Sequence, residues 1–200
     1  MSPKSKIWNI QDLLAWLETH PPDRESIFQV SRHVALLLLL ASGRRIHDLT
    51  LLSISAENCI ISERSVTFWP MFGPKTDGTR GRQSGWLLHK SDNRTFDLVS
   101  WVRSLIDVTS VRRKSQDGLL NLFITTRGKV KAASRAVIAG WLKTSFNDIG
   151  VNCTPRSIRS AVASYDYARD TPLDEILKRG NWRGSANFFK HYCKAGGQVC

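Results

Sequence analysis

Thr154-Pro-Arg-Ser-Ile-Arg159 opens the stretch on which the reading of this chain turns; Gly180-Asn-Trp182 and Phe188-Phe-Lys-His-Tyr192 complete it. Proline suits the first turn of a helix, where a missing amide proton leaves nothing unpaired, so a helix is expected from about Pro155. Arg156 and Arg159 stand three residues apart and would then share one face. Two guanidiniums converging in this way form a fork-shaped receptor for a phosphate. Tyr192, carried toward such a phosphate, is a candidate nucleophile.

Upstream, Ala41-Ser-Gly-Arg-Arg45-Ile-His-Asp48-Leu49 places further cations at the end of a rigid element. The run before it, Val34 to Ala41, is the most apolar in the chain and is bounded by Arg32 and Arg44. It is too short to span a membrane, which takes about 18 apolar residues, so it reads as the buried central helix, 25–41. Gly43 provides the turn that ends it. Arg44 is expected to be a solvated helix-end cation, and a short helix over 45–52 should follow.

Apolar spacing predicts other helices over 10–17, 95–108, 134–149, 155–169, 173–178 and 185–193. Alternation predicts strands over 58–61, 65–69 and 84–90, with Glu63-Arg64 as a turn and a Gly-rich basic loop between the second and third. Residues 111–118 read as a basic connector and 119–125 as a short extended piece. The expected fold class is mainly α with a small antiparallel β-sheet. The expected organisation is a single domain over 1–200, with 1–9 linker-like.

Lys+Arg 29 against Asp+Glu 17 gives a formal charge of +12 on 200 residues, a bias that favours a polyanionic partner and disfavours a neutral protein-binding module. Cys59, Cys153, Cys193 and Cys200 form no CxxC pair and lack histidines at metal spacing, which argues against a zinc site and a disulfide framework. Reduced thiols suit a nuclear or cytosolic setting. The N-terminal residues contain no apolar targeting core.

Together these runs resemble the tyrosine recombinase (phage integrase) family. Its first box reads roughly T-G-x-R-x-x-E-L, and Ser42, Gly43, Arg45, Asp48 and Leu49 fall in register with it. In the second box, H-x-x-R, Arg159 matches the arginine while Arg156 stands where histidine is usual. Trp182 and Tyr192 match the third box, and Gly73-Pro-Lys75-Thr-Asp-Gly with Arg82-Gln-Ser-Gly-Trp86 looks like the hairpin that carries the family's lysine. These last runs look most like the Crypton- or DIRS-type eukaryotic transposon branch.

The resemblance implies a catalytic-domain fold acting on double-stranded DNA, with self-association on DNA, a nuclear setting, and no metal or other cofactor. Arg45 and Arg159 would clamp the scissile phosphate, Tyr192 would attack it, and Lys75 would protonate the departing 5′ oxygen. Arg156 would bind phosphate without serving as a proton acceptor, since a guanidinium stays protonated. Trp182 would pack in the core or donate to the phosphate. Tyr165 and Tyr167, in the helix after Arg159, would be packing or surface residues. The rival class is a domesticated transposon-derived protein that binds DNA without cutting it.

Overall fold

The computed structural model describes residues 8–71, 85–182, 184–186 and 188–189. Its centre is α2, Ile27–Ser42, which buries Val30, Val34 and the run Ala35–Leu39 almost all round. Ser26 caps its start by accepting the Gln29 amide. Gly43 stops it in a left-handed conformation (φ 63), with its N–H on the Leu39 carbonyl at 2.8 Å. That backbone shape favours glycine, the residue without a Cβ.

Around α2 pack α4 (Leu98–Arg113), α5 (Arg135–Ile149) and α6 (Ser157–Ala168). Asp97 and Ser134 cap α4 and α5 by accepting the amides of Ser100 and Val137. The first helix, α1 (Ile10–Thr19), lies against α5 and α6. Just before it, the Trp8 indole donates to Ser157 Oγ at 2.7 Å and meets the Phe146 ring edge-on. The short α3 (Ile46–Leu49) and α7 (Leu173–Arg179) follow the same packing, and residues 185–186 and 188–189 are also helical. A second, smaller core joins Ala163, Ile176 and Phe188, with Leu173, Leu177, Trp182 and Phe189 around it.

Three short antiparallel strands, β1 (Cys59–Ile61), β2 (Ser65–Phe68) and β3 (Trp86–His89), lie in sequence order. Val66 opposite Leu88 and Phe68 opposite Trp86 face the core, whereas Ile60 and Leu87 face outward. Period-two alternation requires that division. The fold class expected from the sequence is the one observed. Among the described residues no helix is long and apolar enough to cross a membrane.

Several boundaries differ from expectation. The helix expected over 95–108 starts at Leu98 and continues through Arg113, absorbing the first part of what reads as a connector. Those arginines have structural partners there. Arg113 donates to the carbonyls of Leu119, Asn121 and Leu122, and Arg112 to those of Thr125 and Gly128. Two cations that look solvated in the sequence therefore fasten α4 to the extended piece. The helix expected over 45–52 is only the four residues of α3, and the one expected from Pro155 begins at Ser157.

His33 sits 4% exposed in α2, where its Nε2–H donates to the Thr95 carbonyl at 2.9 Å and its ring meets Trp101 edge-on. Burial drives its pKa from 6.5 down to about 4, with Arg24 and Arg32 adding to the effect and the Thr95 bond opposing it. The sign follows directly: between these values the unfolded chain takes up a proton that the folded chain refuses. Stability is full above pH 6.5 and falls as the pH drops toward 4. The loss at this one group is on the order of 3 kcal/mol, from 1.36 kcal/mol per pH unit. Urea unfolding at a series of pH values, with and without His33→Gln, checks it. An equal acid loss in both proteins would rule His33 out.

Candidate active site

Arg159 is the pivot. It lies in the first turn of α6, and its Nη1 donates to two backbone carbonyls, Gly43 at 2.9 Å and Gly180 at 2.6 Å. The Trp182 ring stacks on the same guanidinium, with Cζ 3.8 Å from a ring centroid. Arg159 Nη2 is buried and has no hydrogen-bond acceptor among the described residues. Burial lowers the Arg159 pKa from the usual guanidinium range to about 10; Arg45 and Arg44 push the same way and Asp48 opposes them. The group stays cationic at neutral pH. The result is a rigid cation with one arm fixed on the backbone and one arm unused.

Arg45 is exposed and stands as the residue that starts α3. Its backbone N–H donates to Asp48 Oδ2 at 3.0 Å, and the Asp48 amide returns a bond to the Arg45 carbonyl at 2.9 Å. This reciprocal closure satisfies amides that a helix start leaves orphaned, and it fixes the backbone from which Arg45 projects. Asp48 itself is buried. The carboxylate in the first box thus has a backbone task as well as an electrostatic one.

Arg44 corrects an expectation. Far from being a solvated cap, it is 3% exposed, with its Nε donating to the Arg179 carbonyl at 3.1 Å and its Cζ 4.8 Å from the Trp86 ring centroid. A basic residue beside a glycine turn reads as solvated, and only the packing of β3 and α7 over it reveals the burial.

Arg156, the residue in the usual histidine position, is exposed and stands just before α6, and its side chain has no hydrogen bond among the described residues. Tyr165 packs against the main core, with Arg169 over its ring. Tyr167 is exposed, near the Phe188 and Phe189 rings. Lys75 and Tyr192 lie outside the described residues. The flanks of each are described: β2 and β3 pair as an antiparallel hairpin around the loop of Lys75, and residues 188 and 189 are helical, with Phe188 fully buried. The structure therefore brings together Arg45, Arg159 and Trp182, together with Arg44, which was expected in solvent, and the carbonyl of Gly180, which the sequence did not single out.

The turn at Gly180 is tight because of what covers it. A Cβ there would lie 2.6 Å from Trp182 Nε1 and 2.8 Å from its Cδ1. The next residue, Asn181, takes a left-handed conformation (φ 51). Gly180→Ala must push the indole off its seat against Arg159, and overpacking of this kind costs about 1–3 kcal/mol. Gly140→Ala, in the open on α5 with nothing within 4 Å, is the control and should stabilise slightly. Guanidinium unfolding of both variants decides the matter; a Gly180→Ala protein as stable as Gly140→Ala would refute the packing argument.

No protein-family model and no curated protein sequence matches the chain. Solved structures do. A post-cleavage complex of the XerH site-specific recombinase bound to palindromic difH substrate superposes with a TM-score of 0.66 at 13% identity, over 95% of this chain and 50% of that one. XerA recombinase gives 0.63 at 15% identity, over 96% and 60%. A lambda integrase(75-356) dimer bound to a COC′ core site gives 0.54 at 12% identity, over 100% and 63%. The fold is that of tyrosine recombinase catalytic domains, and the chain spans half to just under two thirds of the length of these three solved chains.

Proposed function

We propose that this chain cleaves and rejoins double-stranded DNA through a 3′-phosphotyrosyl intermediate, as a site-specific recombinase or integrase. One observation carries the reading: the Arg159 guanidinium is immobilised by two carbonyls and an indole, yet keeps a buried arm without an acceptor beside the charge of Arg45. A buried donor without an acceptor costs free energy, and an anionic oxygen is the partner that offsets it. Two guanidiniums on the non-bridging oxygens of a scissile phosphate would stabilise the charge that builds up in the transition state.

In this mechanism Tyr192 releases its phenolic proton to solvent water as its oxygen attacks phosphorus; a P–O bond to the tyrosine forms, and the bond to the 5′ oxygen breaks. Lys75 supplies the proton to that oxygen. The phosphoester energy is kept in the tyrosyl link, so attack by a 5′ hydroxyl reseals the strand. Trp182 braces Arg159 by stacking, and Arg156 adds a cation near the DNA backbone. The excess of +12 favours a DNA partner, and two of the superposing structures hold DNA, one of them as a dimer, which supports DNA binding and self-association. An origin in a eukaryotic mobile element and a nuclear setting complete the proposal.

The test uses nicked duplexes in which the fragment beyond the cut diffuses away and traps the intermediate. A covalent adduct on a denaturing gel, mapped to Tyr192, is the expected result. DNA binding with no adduct would favour the non-catalytic, domesticated reading, for which the loss of a proton-accepting histidine at Arg156 is the motivating observation.

A further inference from the structure

Arg44 has no place in the mechanism above, and its position fits poorly with stability alone. A charge 3% exposed is costly to bury, and this one acts against its like-charged neighbour Arg159. An apolar side chain would cover Trp86 without either penalty. The position links three parts of the site. Arg44 follows Gly43 and precedes Arg45; its Nε holds the Arg179 carbonyl in the turn before Trp182; its guanidinium lies over Trp86 on β3, the strand that closes the Lys75 hairpin. Among the described residues, the charges that act on Arg159 are two arginines, Arg44 and Arg45, against one carboxylate, Asp48, which acts on Arg44 as well.

We propose that Arg44 is a positioning residue and an inner cation: it registers the β2–β3 hairpin and the Gly180–Trp182 turn on the phosphate clamp, and its buried charge matches the site to a doubly negative phosphoryl group. This rests on the phosphoryl-transfer reading above and goes beyond it. A phosphodiester carries one negative charge, and its five-coordinate transition state carries about two, so the extra cation favours the transition state over bound substrate. A low-dielectric position makes that charge more effective than one on the surface.

Arg44→Met keeps length and apolar stem while removing the charge; Arg44→Lys keeps the charge and loses the fork. The first measurement needs no DNA. Inorganic phosphate, largely dianionic at pH 8, should raise the melting temperature of the wild type and of Arg44→Lys but not of Arg44→Met, since a ligand of the folded state stabilises it. The second is single-turnover cleavage of the nicked duplex. Here Arg44→Met should lose about 100-fold in rate while changing DNA affinity little, and Arg44→Lys should recover most of it. Without phosphate, Arg44→Met should melt within a few degrees of the wild type.

If the wild type forms no adduct but phosphate stabilises it in this charge-dependent way, the recombinase reading fails and the inner cation stands. A wild type indifferent to phosphate overturns the inner cation. So does an Arg44→Met protein that cleaves at the wild-type rate, or one whose slower cleavage merely tracks a lower melting temperature. Loss of activity in Arg44→Lys equal to that in Arg44→Met would likewise defeat the charge argument.

Discussion

Tyr192→Phe is expected to abolish the covalent protein–DNA adduct while leaving DNA affinity nearly unchanged. The substitution removes one hydroxyl and no charge, whereas binding draws on phosphate neutralisation and counterion release. Loss of the nucleophile removes the pathway outright, so the effect should exceed that of any single cation. Affinity should still fall steeply with salt in both proteins, at about 0.9 decades per decade of salt for each phosphate neutralised. The measurement pairs a nicked-duplex gel with a fluorescence-anisotropy titration. An adduct persisting in Tyr192→Phe would redirect attention to Tyr165 and Tyr167. Tyr165 packs against the core and Tyr167 sits beside Phe188 and Phe189, so neither is a good substitute.

Arg159 should show the second-largest effect, in two separable parts. Arg159→Ala leaves the carbonyls of two buried glycines, Gly43 and Gly180, without their donor. Unsatisfied buried groups cost about 1–3 kcal/mol each, so this variant should be clearly destabilised. Arg159→Lys keeps a cation that can reach one carbonyl, but a compact ammonium cannot hold the backbone with one arm and a phosphate oxygen with the other. Its stability should be closer to wild type, with cleavage reduced by roughly 10²–10³, the usual effect of losing one transition-state donor. Unfolding curves and single-turnover rates on the same preparations separate the two parts. Wild-type cleavage by Arg159→Lys would show that the fork does not hold the phosphate.

The contrast between Arg44 and Arg45 marks how far the sequence could be read. Box register singles out Arg45, and the structure sets its charge beside Arg159. Nothing local distinguishes the arginine next to it, because its burial is imposed by Trp86 and Arg179, 42 and 135 residues away. The same holds for Arg112 and Arg113, whose carbonyl partners lie beyond the end of α4. Apolar period reveals helices such as α2 and α5, since a core-facing stripe is written directly in residue type. A backbone carbonyl carries no such signature: any residue has one, so the contacts that Gly43 and Gly180 make with Arg159 are invisible until the chain is folded. Gly180 is the partial exception. It sits two residues before the tryptophan of the third box, and a glycine so near a large aromatic hints that something must pass close.

The two bonds that hold Arg159 also set a schedule. One spans 116 residues and the other 21, so the arginine is knotted to segments that leave the ribosome far apart in time. Contacts of such long range close late in folding, after the entropy of the intervening loop has been lost. A chain growing from its N-terminus has Gly43 available early but cannot complete the knot until Gly180 has emerged. Under the proposed function, its positive charge would already adhere to nucleic acid during that interval, since adhesion needs only charge. The proposed cutting chemistry needs the finished knot, so an immature chain would be adhesive but inert, and strand breakage would be withheld until folding is complete.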